Sequence, residues 1–247
     1  AFIVQAQNNR ATSAEPTVHF KARKDSLLLL DSLRISIKSS DGSNNKGLVP
    51  IAESVVLLSE SLFGHQHPEF AKDMNQYAVL LWRTGAYQKA DSIYTVCEMI
   101  LGDANLKNAP IYANVRGNHG NVLQHLGKLD IAEQMMLEAL QIYEHIGYKD
   151  SLDYLTFIGN LGSLYTNKGQ FGDAIKCFET NQKGLYQLFG PTSIKCAMAT
   201  NNLGSFYGML AQYDKAEQFL LEAKNIYEVN KRTTTNGYGR CITNLGL

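Results

Sequence analysis

The residues of this chain whose chemistry could support a reaction or a metal are its six histidines and four cysteines, and their spacing limits what they can do. His65, His67 and Glu69 carry suitable ligand atoms, but two imidazoles at i and i+2 share no helix face, and a site needs three or four convergent ligands. They read as part of a structural connector. Cys97, Cys177, Cys196 and Cys241 contain no Cys-x-x-Cys pair and no histidine at ligand spacing. No metal site and no disulfide framework is expected, and the four read as packing thiols. A Cys/His nucleophile would need a cysteine beside His119 or His125 and a third group to orient the base, and no such constellation is present. Gly117-x-x-Gly120 and Gly237-x-Gly239 follow no strand, so they are not phosphate loops. The reading is of a non-enzyme without a cofactor.

What positions the remaining polar residues is a helical framework. Five prolines, few β-branched runs and abundant Ala, Leu, Glu, Lys and Gln favour helix over sheet. With 23 basic and 23 acidic residues the chain lacks the positive excess that phosphate binding needs, which argues against nucleic acid as a partner. Wholly apolar runs such as residues 27–30 are far short of the ~20 residues that span a bilayer, so no membrane insertion is expected. Residues 1–20 read as a leader remnant and linker. Ala1 to Gln7 resembles the tail of an apolar segment with a Val-Gln-Ala step that suits signal peptidase, and an ordinary ragged N-terminus reads from the same residues. An exported and a cytoplasmic location both stay open.

The chain repeats itself every 42 residues. Tyr77-Ala78, His119-Gly120, Leu161-Gly162, Leu203-Gly204 and Leu245-Gly246 fall at that interval, as do Gly85, Gly127, Gly169 and Ala211, and Ala90, Ala132, Ala174 and Ala216. Each unit thus has one helical apolar stripe before a turn and another after it, the pattern of a helical hairpin. The small residues let the two axes cross closely. Pro68, Pro110 and Pro191 come just before first helices, where proline sacrifices no intrahelical bond. His119, in place of a buried leucine, is expected to find a hydrogen bond inside its hairpin. Asn181 is polar where Cys97, Ala139 and Ala223 are small, and its role stays open between a local bond and a local site.

This order of small residue, turn glycine, aromatic and alanine resembles the tetratricopeptide repeat, and the 42-residue period is similar to the longer repeats of kinesin light chains and of many bacterial proteins. The resemblance implies an all-α, right-handed superhelical solenoid of antiparallel helix hairpins. Residues 68–235 would form four repeats and residues 236–247 the first helix of a truncated fifth. Residues 21–67 read as a degenerate N-terminal capping repeat. Its helices are placed at 22–38 and from Pro50, with Gly47 to Ala52 matching Gly85 to Ala90.

In that family the position two residues before each small residue faces the concave groove, and here it holds Gln76, Asn118, Asn160, Asn202 and Asn244. One turn later come Asn121, Ser163 and Ser205, and Trp82 and Arg83 stand at one end. The resemblance implies a protein or peptide ligand held by this amide ladder. The same asparagines could instead brace adjacent helices, and Trp82 could anchor a peptide or pack against the cap. Two further roles stay open: self-association, and regulation in cis of an effector such as a CHAT-type peptidase or a sensor kinase, of which these residues carry no trace.

Overall fold

The computed structural model describes residues 15–39 and 44–246, with side chains from residue 23 onward, and every regular element among them is an α-helix. The first pair is α1 (Glu15–Lys38) and α2 (Asn45–Phe63). Four hairpins follow: α3 (Pro68–Arg83) with α4 (Tyr87–Asp103), α5 (Pro110–His125) with α6 (Leu129–His145), α7 (Leu152–Asn167) with α8 (Phe171–Phe189), and α9 (Ile194–Met209) with α10 (Tyr213–Val229). Last comes α11 (Asn236–Leu245). From α3 to α11 both the first and the second helices of the hairpins start at 42-residue intervals. The chain is an all-α superhelical solenoid.

Packing explains why the period is kept. A β-carbon on Gly120 would lie 2.8 Å from Met136 Cγ, one on Gly162 2.9 Å from Phe178, and one on Gly204 2.8 Å from Leu220. The first helix must therefore be bare where it crosses the second, and the bulky residue of the second helix fills the space so freed. Ala78, Ala90, Ala132 and Ala174 at these crossings are fully buried. Between the helices of each hairpin the chain turns through a left-handed residue, Gly85 (φ 86°), Gly127 (φ 77°) and Gly169 (φ 73°), and in the last hairpin Ala211 (φ 57°).

The first helices form the inner layer. First helices of successive hairpins touch one another (α3 with α5, α5 with α7, α9 with α11), whereas no two second helices of neighbouring hairpins make comparable contact among the described residues. In a curved two-layer array the layer with the closer helices lies on the inside, so the inner face is built from α3, α5, α7, α9 and α11.

At the N-terminal end the structure departs from the sequence reading. The helix α1 starts at Glu15, inside the stretch assigned to leader and linker; the rest of that stretch, including the cleavage-like step, lies outside the described residues. The helix α2 starts at Asn45 rather than Pro50, with Asn44 capping it through a 3.1 Å bond from the Gly47 N–H. Asn45 stands one 42-residue period before Tyr87, so Ala52 is the counterpart of Tyr94, not of Ala90. The buried face Leu48, Ala52, Val55 and Ser59 sets this register, and packing it against α3 outweighs the lost N–H of an internal proline. Pro191 also differs from expectation. Pro68 and Pro110 open their helices, but α9 starts three residues after Pro191 and is capped by the Ser193 hydroxyl. At the other end Gly246 is a left-handed cap after α11 (φ 75°) rather than a crossing residue.

Candidate functional site

The ladder residues all lie on the first helices, yet the structure divides them by hydrogen bonding. Asn118 Nδ2 donates to Asn75 Oδ1 at 3.1 Å, and Asn244 Nδ2 donates to Asn201 Oδ1 at 3.4 Å. Each bond ties one first helix to the preceding one, so these two rungs are braces. The acceptors Asn75 and Asn201 are themselves buried. At the corresponding positions the other two full units carry Gly117 and Gly159, and Asn160 and Asn202 consequently have no such acceptor. Neither makes a side-chain hydrogen bond among the described residues, and Asn202 is exposed. The two glycines are required by packing: a β-carbon on Gly117 would sit 2.4 Å from the Phe157 ring, and one on Gly159 3.2 Å from the Asn181 amide. Gln76, like Asn202, is exposed and unbonded.

Of the residues one turn later, Ser163 and Ser205 face solvent beside Asn202, in a shallow cleft of about 210 Å³ floored by Phe178 and Phe206. The Ser163 hydroxyl donates back to Gly159 O at 3.4 Å. Asn121 does not belong to this open surface; it is buried within α5, 7% exposed. Trp82 is half-buried, among the side chains packed against the core that the cap residues Leu48 and Ala52 share with α3 and α4. Its ring packs against His125 of the next hairpin at 5.9 Å between centroids, and His125 in turn stacks on Tyr87 at 4.7 Å. Arg83 is exposed at the N-terminal end of the layer.

The remaining polar groups act as structure. His119 is buried, but its bonds leave the hairpin. Nδ1 lies 2.7 Å from Glu98 Oε1 and Nε2 2.7 Å from Asp91 Oδ1, both on α4 of the preceding unit, while Tyr94 stacks on the ring. The first helix of one unit faces the second helix of the unit before it, so a polar side chain at this crossing is met from outside its own hairpin. Arg116, one helical turn away, joins the seam by contacting Glu98 at 3.0 Å and also Glu138. Sequence reasoning missed this ion network; a cation and a histidine on one face of α5, opposite two acids on α4, was the signal for it. Burial raises the Asp91 carboxyl, but the bonds from His119 and Lys128 outweigh it and hold the group below its ordinary range.

Asn181 has a structural answer. Its amide donates to Leu155 O at 2.7 Å, the same reach by which Cys97 Sγ meets Ala71 O at 3.4 Å one unit pair earlier. His67 Nδ1 accepts the Glu69 N–H at 3.1 Å and so caps α3, while His65 pairs with Glu60. The cysteines are free thiols, and burial pushes Cys97 up to about 12 and Cys177 up to about 11, far from nucleophilic range. Among the described residues no cluster of three His, Cys, Asp or Glu side chains is arranged to hold a metal, and no helix is long and apolar enough to cross a membrane.

Residues 111–180 and 153–228 match the family model of the tetratricopeptide repeat, the two matches starting one 42-residue period apart. Clustered mitochondria protein homologs of Emericella nidulans and Aspergillus niger are each 25% identical over 203 residues. That alignment covers 80% of this chain and 16% of those curated relatives, so the chain spans only a small part of their length. These relatives are fungal, not the bacterial proteins that the repeat length suggested. Among solved structures, BtubC (BKLC) from P. vanneervenii is similar with a TM-score of 0.65 at 19% identity, covering 92% of this chain and 95% of that one. A Podosopora anserina putative kinesin light chain with nearly identical TPR-like repeats has a TM-score of 0.60 at 15% identity over 85% of this chain and 98% of that one. The apo quorum sensor NprR from B. thuringiensis has a TM-score of 0.65 at 15% identity, over 90% of this chain and 58% of its own. These structural likenesses carry the fold. Repeats of this family generally mediate protein–protein interaction, and the match over residues 111–228, with the hairpin period and bare crossings found there, identifies that part of the chain as tetratricopeptide repeats.

Proposed function

We propose that the inner layer of first helices binds an extended segment of a partner protein, and that the ladder is shared between binding and bracing. The observation that carries this is the division of the rungs: Asn118 and Asn244 are spent on Asn75 and Asn201, while Asn160 and Asn202 have no hydrogen-bond partner, and Asn202 lines a cleft with Ser163 and Ser205. An open amide can donate to a backbone C=O and accept from a backbone N–H of an extended chain, giving affinity with little demand on sequence. Specificity then rests on the small hydroxyl-lined cleft.

Peptides selected by display against the protein supply the ligand for the test. With net hydrogen bonds of ~0.5–1.5 kcal/mol each, changing Asn160 and Asn202 together to Ala is expected to weaken binding by roughly 1–3 kcal/mol while leaving the melting temperature unchanged. Asn118→Ala is expected to do the opposite, lowering the melting temperature with little effect on affinity. A double variant that melts early yet binds at full strength would falsify the groove.

A further inference from the structure

The inner layer has one seam unlike the others. Successive first helices from α3 to α11 touch one another except α7 and α9, which make no comparable contact among the described residues. The cause lies beneath them. Phe178 of α8 meets Phe206 of α9 with ring centroids 5.3 Å apart, whereas the earlier seams place Tyr94 with Val122 and Met136 with Leu164 at the same two positions. A ring on both sides takes more room than a ring and a valine, so α9 stands off from α7 and the cleft of about 210 Å³ opens between them.

The walls of this cleft set what can enter. The Thr166 hydroxyl donates to Gly162 O at 2.9 Å, as Ser163 does to Gly159 O at 3.4 Å, so both are committed to the backbone of α7. Asn167, Asn202 and Ser205 also line the cleft and make no side-chain hydrogen bond among the described residues. Met209 is exposed beside them, at the position where the other units carry Arg83, His125 and Asn167. No lining side chain carries a charge. A charged group entering there would lose water without meeting a counter-ion, whereas a large apolar one would exchange water for two phenyl rings and a thioether.

We propose that the gap between α7 and α9 is the specificity subsite of the groove, and that it takes one large apolar side chain from an internal residue of the bound segment. Packed helices lie ~8–10 Å apart and an extended chain advances ~3.3 Å per residue, so the backbone on either side of that residue reaches Asn160 and Asn202 while its side chain enters between the two helices. The subsite rests on the reading of the inner layer as a peptide groove, and it names the residue by which a partner is chosen.

The probe is a display library of short peptides flanked on both sides by constant linkers, so that no chain terminus is offered. Selection is expected to converge on Leu, Ile, Met or Phe at one position. In a synthetic copy with acetylated and amidated ends, Ala at that position should weaken binding about 10- to 100-fold, and Asp or Lys at least as much. A photoreactive leucine there should crosslink to residues of α7, α8 or α9 around Phe206 and Met209. Ser205→Asp, an exposed change that leaves the melting temperature in place, supplies the missing charge and should reverse the order of the Leu and Lys peptides. Tolerance of Asp or Lys at every position, crosslinks outside α7 to α9, or an unchanged order of the two peptides on Ser205→Asp would each overturn the subsite. If such peptides still lose affinity on the Asn160 and Asn202 changes, the groove stands and the subsite falls. A crosslink in the gap with full affinity on that double variant keeps the subsite and removes the ladder, and a library without binders removes both.

Discussion

Tyr143 and Tyr227 stand two periods apart, both about 1% exposed, and their hydroxyls meet opposite fates. Tyr143 donates to Asn114 Oδ1 at 2.9 Å, with Asp153 Oδ2 at 3.4 Å, whereas the matching positions beside Tyr227 are Met198 and Gly237. The Tyr227 hydroxyl is buried without a partner. A satisfied buried hydroxyl stabilises by about 1 kcal/mol, while an orphaned one carries an uncompensated desolvation cost. Tyr143→Phe is therefore expected to lower stability by about 1 kcal/mol in urea unfolding. Tyr227→Phe should leave it unchanged or raise it, and an equal loss in both would show that the contrast is not set by hydrogen bonding. The same logic explains how much of the candidate site could be read from residue types. The ladder positions were legible because they recur every 42 residues, but whether an amide braces or stays unbonded depends on the residue 43 positions earlier, Asn75 and Asn201 in two cases and Gly117 and Gly159 in the others. Asn121 departs from expectation because it is buried within α5, and the Trp82 ring meets His125 of the next hairpin, a contact set by the neighbouring unit.

At the scale of elements, the turn between paired helices demands a left-handed residue, and Ala211 is the one non-glycine that occupies it among the four described hairpin turns. An L-residue in this conformation costs roughly 1–2 kcal/mol, part of which glycine returns through the greater entropy of its unfolded chain. Ala211→Gly is accordingly expected to stabilise the protein by about 0.5–1 kcal/mol, a rise of roughly 1–4 °C in melting temperature for a chain of this size. A lower melting temperature would mean that the Ala211 methyl contributes packing that outweighs its strain. Helix positions from α3 onward were legible in the sequence because turn, crossing and apolar stripe all repeat together and agree. The cap was not, because its marks disagree: Pro50 looks like a first helical residue and Gly47 like a turn glycine, yet Leu48 and Ala52 must meet α3. Burial along a whole helix face decided the register against those two local signals.

On the scale of the whole molecule, a solenoid makes stability a sum over neighbours, so a perturbation that reaches several adjacent units should weaken them together. Alkaline pH is such a perturbation. Burial, aided by nearby carboxylates, pushes Tyr154, Tyr165 and Tyr186 up to about 12 and Tyr143 higher still, and burial likewise raises Cys97 and Cys177. These groups sit on α4 and on α6 to α8, spread across three hairpins. A group whose folded pKa is raised favours the folded state fully below its unfolded value, and that contribution is lost as pH rises through the folded one. With ordinary values of 9.0 for the thiols and 10.0 for the phenols, the melting temperature should hold through neutrality, begin to fall above about pH 9 and fall more steeply beyond about pH 10. Because the phenols are held protonated by the fold, the tyrosinate absorbance of the buried set should rise together with the loss of helical ellipticity. Titration of every tyrosine near its ordinary value in a chain that stays fully helical would show that the hydroxyls reach water in the folded state, and the packed seams between hairpins would then be open ones.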